Sequence, residues 1–162
     1  MSKSLDIYTI ENKKQEESLR EISKKVDIKD IKTKEFQEFL DNLLYTAMHS
    51  EESGNYPAGG IAAPQVGKNI RVFYTLDYDT EEWELFINPE IQITSFLKIG
   101  VKEACLSVPN REGFVERYKT LRIKYLDRDG KKKTKKYTDI NAITIQHEND
   151  HLDGILFIDK IK

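Results

Sequence analysis

The stretch Gln146-His147-Glu148-Asn149-Asp150-His151 sets two imidazoles four residues apart with a carboxylate directly after the first. On a helix that spacing turns both histidines to one face, and a histidine pair with an adjacent glutamate is a metal site carrying its own general base. Outward from it, Ile143, His147 and His151 recur at fours within Ile140 to Leu152, which marks a helix ending near Asp153-Gly154. A solvated, charged helix face is the bland alternative for such a motif. Ala142, Ile145, Leu152, Ile155 and Leu156 argue against it, because they make the segment apolar and therefore buried. Burying two histidines and two carboxylates is costly unless they are paired or bound to metal. Asp150 reads equally well as an outer carboxylate supporting the site or as a structural ion-pair partner.

The rest of the chain is strand-rich. Residues 11 to 25 are highly charged with sparse apolar positions (Leu19 and Ile22, then Val26), predicting a short surface helix or an ordered arm with modest anchoring. Thr33 to His49 predicts a stronger helix, with Phe36, Phe39, Leu40, Leu43, Leu44, Ala47 and Met48 repeating at threes and fours behind a Thr33 cap. Ser53-Gly54-Asn55-Tyr56-Pro57 breaks it. Ile70 to Leu76 and Trp83 to Ile87 read as strands closed by Asn88-Pro89, and Ile91 to Ile99 alternates apolar with polar. Gly113 to Leu126 offers two β-rich runs before an Asp129-Gly130 turn, Lys131 to Tyr137 is the return strand, and Ile155 to Ile158 is a last short strand. With two principal helices among these strands, the class is α+β.

At 162 residues the chain fits a single domain spanning 1–162. Its 26 basic and 28 acidic residues leave a formal charge of -2, which excludes a global field drawing it onto DNA or an anionic membrane. The single cysteine cannot form an intramolecular disulfide, and Met1-Ser2-Lys3-Ser4 leads into polar sequence without the apolar core of a signal peptide. A cytoplasmic address is the expectation. A monomer is expected too, since no long apolar face is left over.

Two further segments bear chemistry. Cys105, in Lys102-Glu103-Ala104-Cys105-Leu106-Ser107-Val108-Pro109, is either an inert buried hydrophobe or a thiolate ligand. A thiolate beside two imidazoles makes a three-ligand site with one position open, as in catalytic rather than closed structural centres. Gly59-Gly60-Ile61-Ala62-Ala63-Pro64-Gln65-Val66-Gly67 lets a substrate backbone lie close and brings an uncharged amide donor, although a tight turn into a strand explains it as well.

Taken together and in this order, GIAAPQVG, EACLS and QHENDHLDG resemble peptide deformylase, with a likeness running from about Ser18 to Ile158. The resemblance implies antiparallel β-sheets packed around a central helix that carries the metal-binding histidine motif. It implies a hydrolase that removes the formyl group from the N-terminal formyl-methionine of nascent chains, releasing formate. Cys105, His147 and His151 would hold one divalent ion, Fe(II) by resemblance, with zinc, nickel or cobalt admitted by the same ligands. Such an ion lowers the pKa of bound water toward about 7, and Glu148 would take the proton and later deliver it to the departing amine. By the same resemblance, the Gln65 side chain and the backbone N–H of Leu106 meet the oxyanion, and the backbone at Gly60 and Ala104 holds the peptide. Ile143 and the aliphatic part of Glu103 wall the methionine pocket.

The sequence departs from the family pattern at two small residues and at its end. Ala58-Gly59-Gly60 stands where the pattern has glycine, a branched residue and glycine, which removes a pocket wall at Gly59, and Ala104 replaces the usual glycine. The further C-terminal helix of many bacterial forms, associated with ribosome docking, is not expected after Ile161-Lys162, so ribosome contact would be weak. The lysines at 131–133, 135 and 136 are a substitute RNA contact or, more simply, a solvated hairpin that discourages edge pairing. His49 reads as a helix C-terminal cation without assigned chemistry. Two other functions compete: a zinc peptidase drawing a third ligand from Asp153 or Asp159, and a non-catalytic metal-binding or interaction module.

Overall fold

The computed structural model describes residues 1–53 and 57–162, so most of the break expected at 53–57 lies outside the described residues. In chain order the elements are α1 (Lys13–Leu19), α2 (Lys34–Met48), β1 (Gly60–Ala62), β2 (Val72–Leu76), β3 (Trp83–Ile93), β4 (Lys98–Cys105), β5 (Val108–Tyr118), β6 (Thr120–Leu126), β7 (Lys132–Thr138) and α3 (Asp139–Leu152), with short 3-10 turns between and after them. The class is α+β. Five strands form one antiparallel sheet in the order β1-β2-β3-β6-β7, and β4 and β5 pair antiparallel as a separate ribbon.

Alternation along β2 explains how the large sheet is covered on both faces. Val72 and Tyr74 turn toward α2, joining Phe36, Leu40, Leu43 and Ala47 in one apolar cluster. Phe73 turns the other way, into a second cluster with Phe86, Leu121, Ile123 and the α3 residues Ala142, Ile145 and Leu152. Here Phe86 stacks edge-on against Tyr125 at 4.6 Å. A strand packed on both faces reads as a continuous apolar run, which is how Val72-Phe73-Tyr74 appears in the sequence. Thr33 caps α2 as expected, accepting a hydrogen bond from the Phe36 N–H at 3.2 Å.

Three expectations change. Asn88-Pro89 does not end the strand: β3 continues to Ile93 through a bulge between Ile87 and Glu90, where Asn88 takes φ 50°. A bulge leaves a residue out of the ladder, so the missing proline N–H costs nothing there. In consequence Ile91 to Ile93 belongs to β3, whereas Lys98 and Ile99 open β4. Ile155 to Ile158 is not a strand. Asp159 accepts from the Leu156 N–H and from Arg20, fixing a 3-10 turn over Phe157–Lys160. The charged N-terminal region is also tied down more firmly than its composition suggests: Ser23 donates to the Leu152 carbonyl at the end of α3, and Lys24 donates to the Asn69 carbonyl.

The α3 helix is buried around much of its circumference, with Ala142, Ile143, Ile145, Glu148, His151 and Leu152 all inaccessible or nearly so. It ends where expected, with Gly154 in the left-handed region at φ 73°. Its terminal Leu152 carbonyl also accepts from the Arg71 guanidinium. Among the described residues no helix is long and apolar enough to cross a membrane. The lysines of β7 occupy the sheet edge, Lys135 pairing with Glu84 at 3.6 Å and Lys133 with Asp127 at 4.0 Å. His49 caps α2, its Nδ1 2.9 Å from the Tyr45 carbonyl and its ring stacked on Tyr45.

Candidate metal centre and active-site cleft

One turn of α3 separates His147 from His151, and their ring centroids lie 5.3 Å apart. Cys105, the last residue of β4, brings its thiol to the same point, with Sγ 3.3 Å from His151 Nε2. One ligand atom from each of the three falls within 4.8 Å of the others. One soft sulfur and two imidazole nitrogens, with Cys105 and His151 buried and His147 bordering the cleft, suit a divalent transition metal with a coordination position left for water or substrate. A neighbouring atom points the same way: Glu148 Oε1 is buried beside them with no hydrogen-bond partner. The residues present therefore fit a metal ion. The alternative third ligands are otherwise engaged, Asp153 by Arg71 at 3.0 Å and Asp159 by Arg20.

Behind the ligands runs a buried charge relay that sequence reasoning saw only in part. Glu103 accepts from His147 Nδ1 at 2.8 Å, which leaves Nε2 of that ring free to face the other ligands. Arg117 of β5, 3% exposed, grips the Glu103 carboxylate through two bonds of 2.6 and 2.9 Å and reaches Asp150 at 2.8 Å. Burial pushes the Glu103 carboxyl up, but the hydrogen bonds from His147 and Arg117 outweigh it and hold the pKa at about 2. Glu103 is expected as an aliphatic wall; it lines the cleft, and its carboxylate orients the His147 ring. Asp150 takes the ion-pair reading, bound by Arg117 and by Lys160 at 2.9 Å. Arg117 was missed: nothing local in Asn110-Arg111-Glu112-Gly113-Phe114-Val115-Glu116-Arg117 distinguishes it except an inward position in the β5 alternation.

Glu148 follows the first histidine and lies on the cleft side of α3. Burial raises its carboxyl to about 7, with Glu103 and Asp150 adding to the rise and His147 and Arg117 opposing it. The Gly60 backbone crosses directly over it, since a Cβ at that position would stand 2.6 Å from Glu148 Oε2. Gln65 is set by its own loop: its Oε1 accepts from the Ala62 N–H at 2.9 Å. Its amide nitrogen is thereby turned toward Ser107 Oγ at 3.2 Å and Cys105 Sγ at 3.5 Å. Leu106 follows the cysteine in the tight turn between β4 and β5. Gln65, Cys105, Leu106, His147 and Glu148 border one cleft of about 190 Å³, and Gly60, Glu103, Ala104 and Ile143 are in its lining. Ile140, Val101 and Tyr78 also line it and were not singled out from the sequence.

Comparison with known proteins follows the same line. A family model described as polypeptide deformylase matches residues 5–162. The chain is 38% identical over 146 residues to the peptide deformylase of Fusobacterium nucleatum subsp. nucleatum, covering 90% of this chain and 79% of that one. It is 41% identical over 149 residues to the peptide deformylase of Bartonella tribocorum, covering 88% and 78%. Among solved structures, the Met-Ala-Ser-bound class I type b peptide deformylase of Acinetobacter baumannii superimposes with a TM-score of 0.86 at 29% identity, covering 99% of this chain and all of that one.

Proposed function

The chain belongs to the polypeptide deformylase family, and from that membership we propose how its own residues divide the work of the reaction. The activity is metal-dependent hydrolysis that removes the formyl group from the N-terminal methionine of newly made polypeptides. Cys105, His147 and His151 hold the ion. When bound, it would supply a water of lowered pKa and a Lewis-acidic positive charge. Glu148 is the proton carrier: its carboxylate borders the cleft beside the ligands, takes the proton of the attacking water and returns it to the departing amine. Gln65 Nε2 and the Leu106 N–H are the oxyanion donors. The substrate backbone runs between Gly60 and Ala104, and the methionine side chain packs beside Ile143. Glu103 and Arg117 keep the His147 ring in its ligating tautomer.

The observation that carries this reading is the meeting of the thiol and both imidazoles within 4.8 Å beside Glu148 and Gln65 in a single cleft. The antiparallel sheets enclose α3 as the central, motif-bearing helix, and residues 1–162 act as one domain. Fe(II) is the ion in the cell by resemblance to the family, and the same donor set admits zinc, nickel and cobalt. The site then inactivates in air as the Cys105 thiolate oxidises. The protein works as a cytoplasmic monomer on nascent chains, with at most a weak ribosome contact through the lysines of β7.

Formate release from formyl-Met-Ala-Ser and acetate release from acetyl-Met-Ala-Ser test the reading, with protein purified anaerobically and its metal quantified. Formate from the first, no acetate from the second and one ion per chain support it. A fully metallated protein that yields no formate sinks it.

A further inference from the structure

Position 59 is a glycine for want of space, not for conformation. Its φ is not in the left-handed region, where Gly67, Gly130 and Gly154 lie. A Cβ built on Gly59 instead would stand 2.1 Å from the Tyr78 hydroxyl oxygen and 3.3 Å from the ring carbon that bears it. Tyr78 comes from the connection between β2 and β3, remote in sequence from the glycine loop, and its ring lines the same cleft as Ile140 and Ile143. It is 46% exposed, and its backbone is held in place. Its N–H donates to Asn141 Oδ1 at 2.9 Å, and the Asn141 amide nitrogen donates to Asp77 at 3.0 Å and Asp79 at 3.2 Å. Asn141 is itself buried in the first turn of α3, the helix that carries Ile143 and the metal-binding histidines. The connection is thus fastened to the helix beside the apolar end of the cleft.

We propose that Tyr78 is a specificity-determining residue, its hydroxyl and outer ring edge occupying the volume that a side chain at position 59 would fill and forming the missing wall of the pocket for the first side chain of the peptide. This rests on the deformylase reading given above. The wall is carried on the β2–β3 connection and held by Asn141, so the limit on side-chain bulk is set by Tyr78 and not by the glycine loop. A lost contact of this size in an apolar pocket is worth about 10-fold or more in discrimination.

The test compares Tyr78→Ala, Tyr78→Phe, Gly59→Ile and the Gly59→Ile/Tyr78→Ala pair, all metal-loaded and confirmed folded by thermal melting. Two readouts are taken: kcat and KM for formyl-Met-Ala-Ser and formyl-Phe-Ala-Ser, and affinity for unformylated Met-Ala-Ser by calorimetry. Tyr78→Ala is expected to lower kcat/KM for the methionyl peptide about tenfold, through KM, while raising relative use of the phenylalanyl peptide. Tyr78→Phe keeps the wild-type preference. Gly59→Ile alone weakens binding, and adding Tyr78→Ala restores it, a reciprocal rescue that a merely structural tyrosine does not produce. Unchanged selectivity in Tyr78→Ala, loss of selectivity in Tyr78→Phe, or two independent effects in the double variant would overturn the proposal. The calorimetric arm decides it even if no formate is released, an outcome that counts against the deformylase reading alone.

Discussion

Glu148 sits beside a ligand, under the Gly60 backbone, with one buried oxygen lacking a partner. Replacing it by glutamine preserves shape and removes only the proton-carrying group. Glu148→Gln is therefore expected to keep one ion per chain by elemental analysis and to lose about 10²- to 10⁴-fold in formate release. Turnover at the wild-type rate would take the proton away from this residue. Behind it, Arg117 faces two carboxylates in a buried setting, so Arg117→Met leaves Glu103 with His147 alone and Asp150 with Lys160 alone, and should cost about 3 to 5 kcal/mol in thermal unfolding. The sign of the acid response follows from Glu103. Its folded pKa of about 2 lies below the ordinary 4.5, so the ionised, paired carboxylate contributes stability above 4.5 that is lost as pH falls from 4.5 toward 2. Chemical denaturation across that range should show a shallower pH slope for Glu103→Gln than for wild type. The same variant should hold its metal about 10- to 100-fold less tightly, since the His147 ring loses its anionic partner.

At the scale of elements, what could be read in advance was local. The α3 helix announced itself through fours of apolar and histidine residues, and α2 through its Thr33 cap, because each signal lies within a few residues of the structure it specifies. The joint presence of Cys105, Gln65 and the histidine helix was legible for the same reason, as three short motifs. Arg117 and Tyr78 were not, because their roles depend on which strand or loop is folded against α3, a pairing that no local pattern encodes. β3 shows the limit from the other side. Asn-Pro normally ends a strand, and here it is absorbed by a bulge because Asn88 adopts a positive φ while its side chain brackets Val26, accepting from the N–H at 2.8 Å and donating to the carbonyl at 2.9 Å. That one side chain both shapes the bulge and pins the segment after α1 to the sheet. Asn88→Ala loses the two bonds and strains the backbone, an expected cost of about 2 kcal/mol or more by denaturant titration. Asn88→Gly, relieved of the strain, should fall between it and wild type.

For the molecule as a whole, the N-terminal arm joins parts that the active site needs in register. The Lys3 and Leu5 N–H groups donate to Asn42 and Thr46 of α2, at 3.0 and 2.8 Å. The Tyr8 N–H then donates to the Gln65 carbonyl at 2.7 Å, and the Ile10 N–H to the Ser107 carbonyl at 3.0 Å. Gln65 and the Leu106-Ser107 turn approach the centre from different sheets, and they are the two proposed sources of oxyanion donors. A single extended segment thus spans both, while Ile7 packs into the cluster around α2 and Ile10 into the cluster that holds Cys105. Removing residues 1–10 deletes none of the proposed ligands, Glu148 or the Glu103–Arg117 relay, so metal content should be retained. What it releases is the relative position of the two donor loops, where a displacement of about 1 Å can cost on the order of 100-fold in rate. The truncated protein is therefore expected to bind its ion normally, to lose about 10- to 100-fold in kcat, and to show faster amide exchange at Gln65 and Ser107 than the full chain. Full activity after truncation would mean that the two loops are held by the sheets alone and that the arm only covers apolar surface.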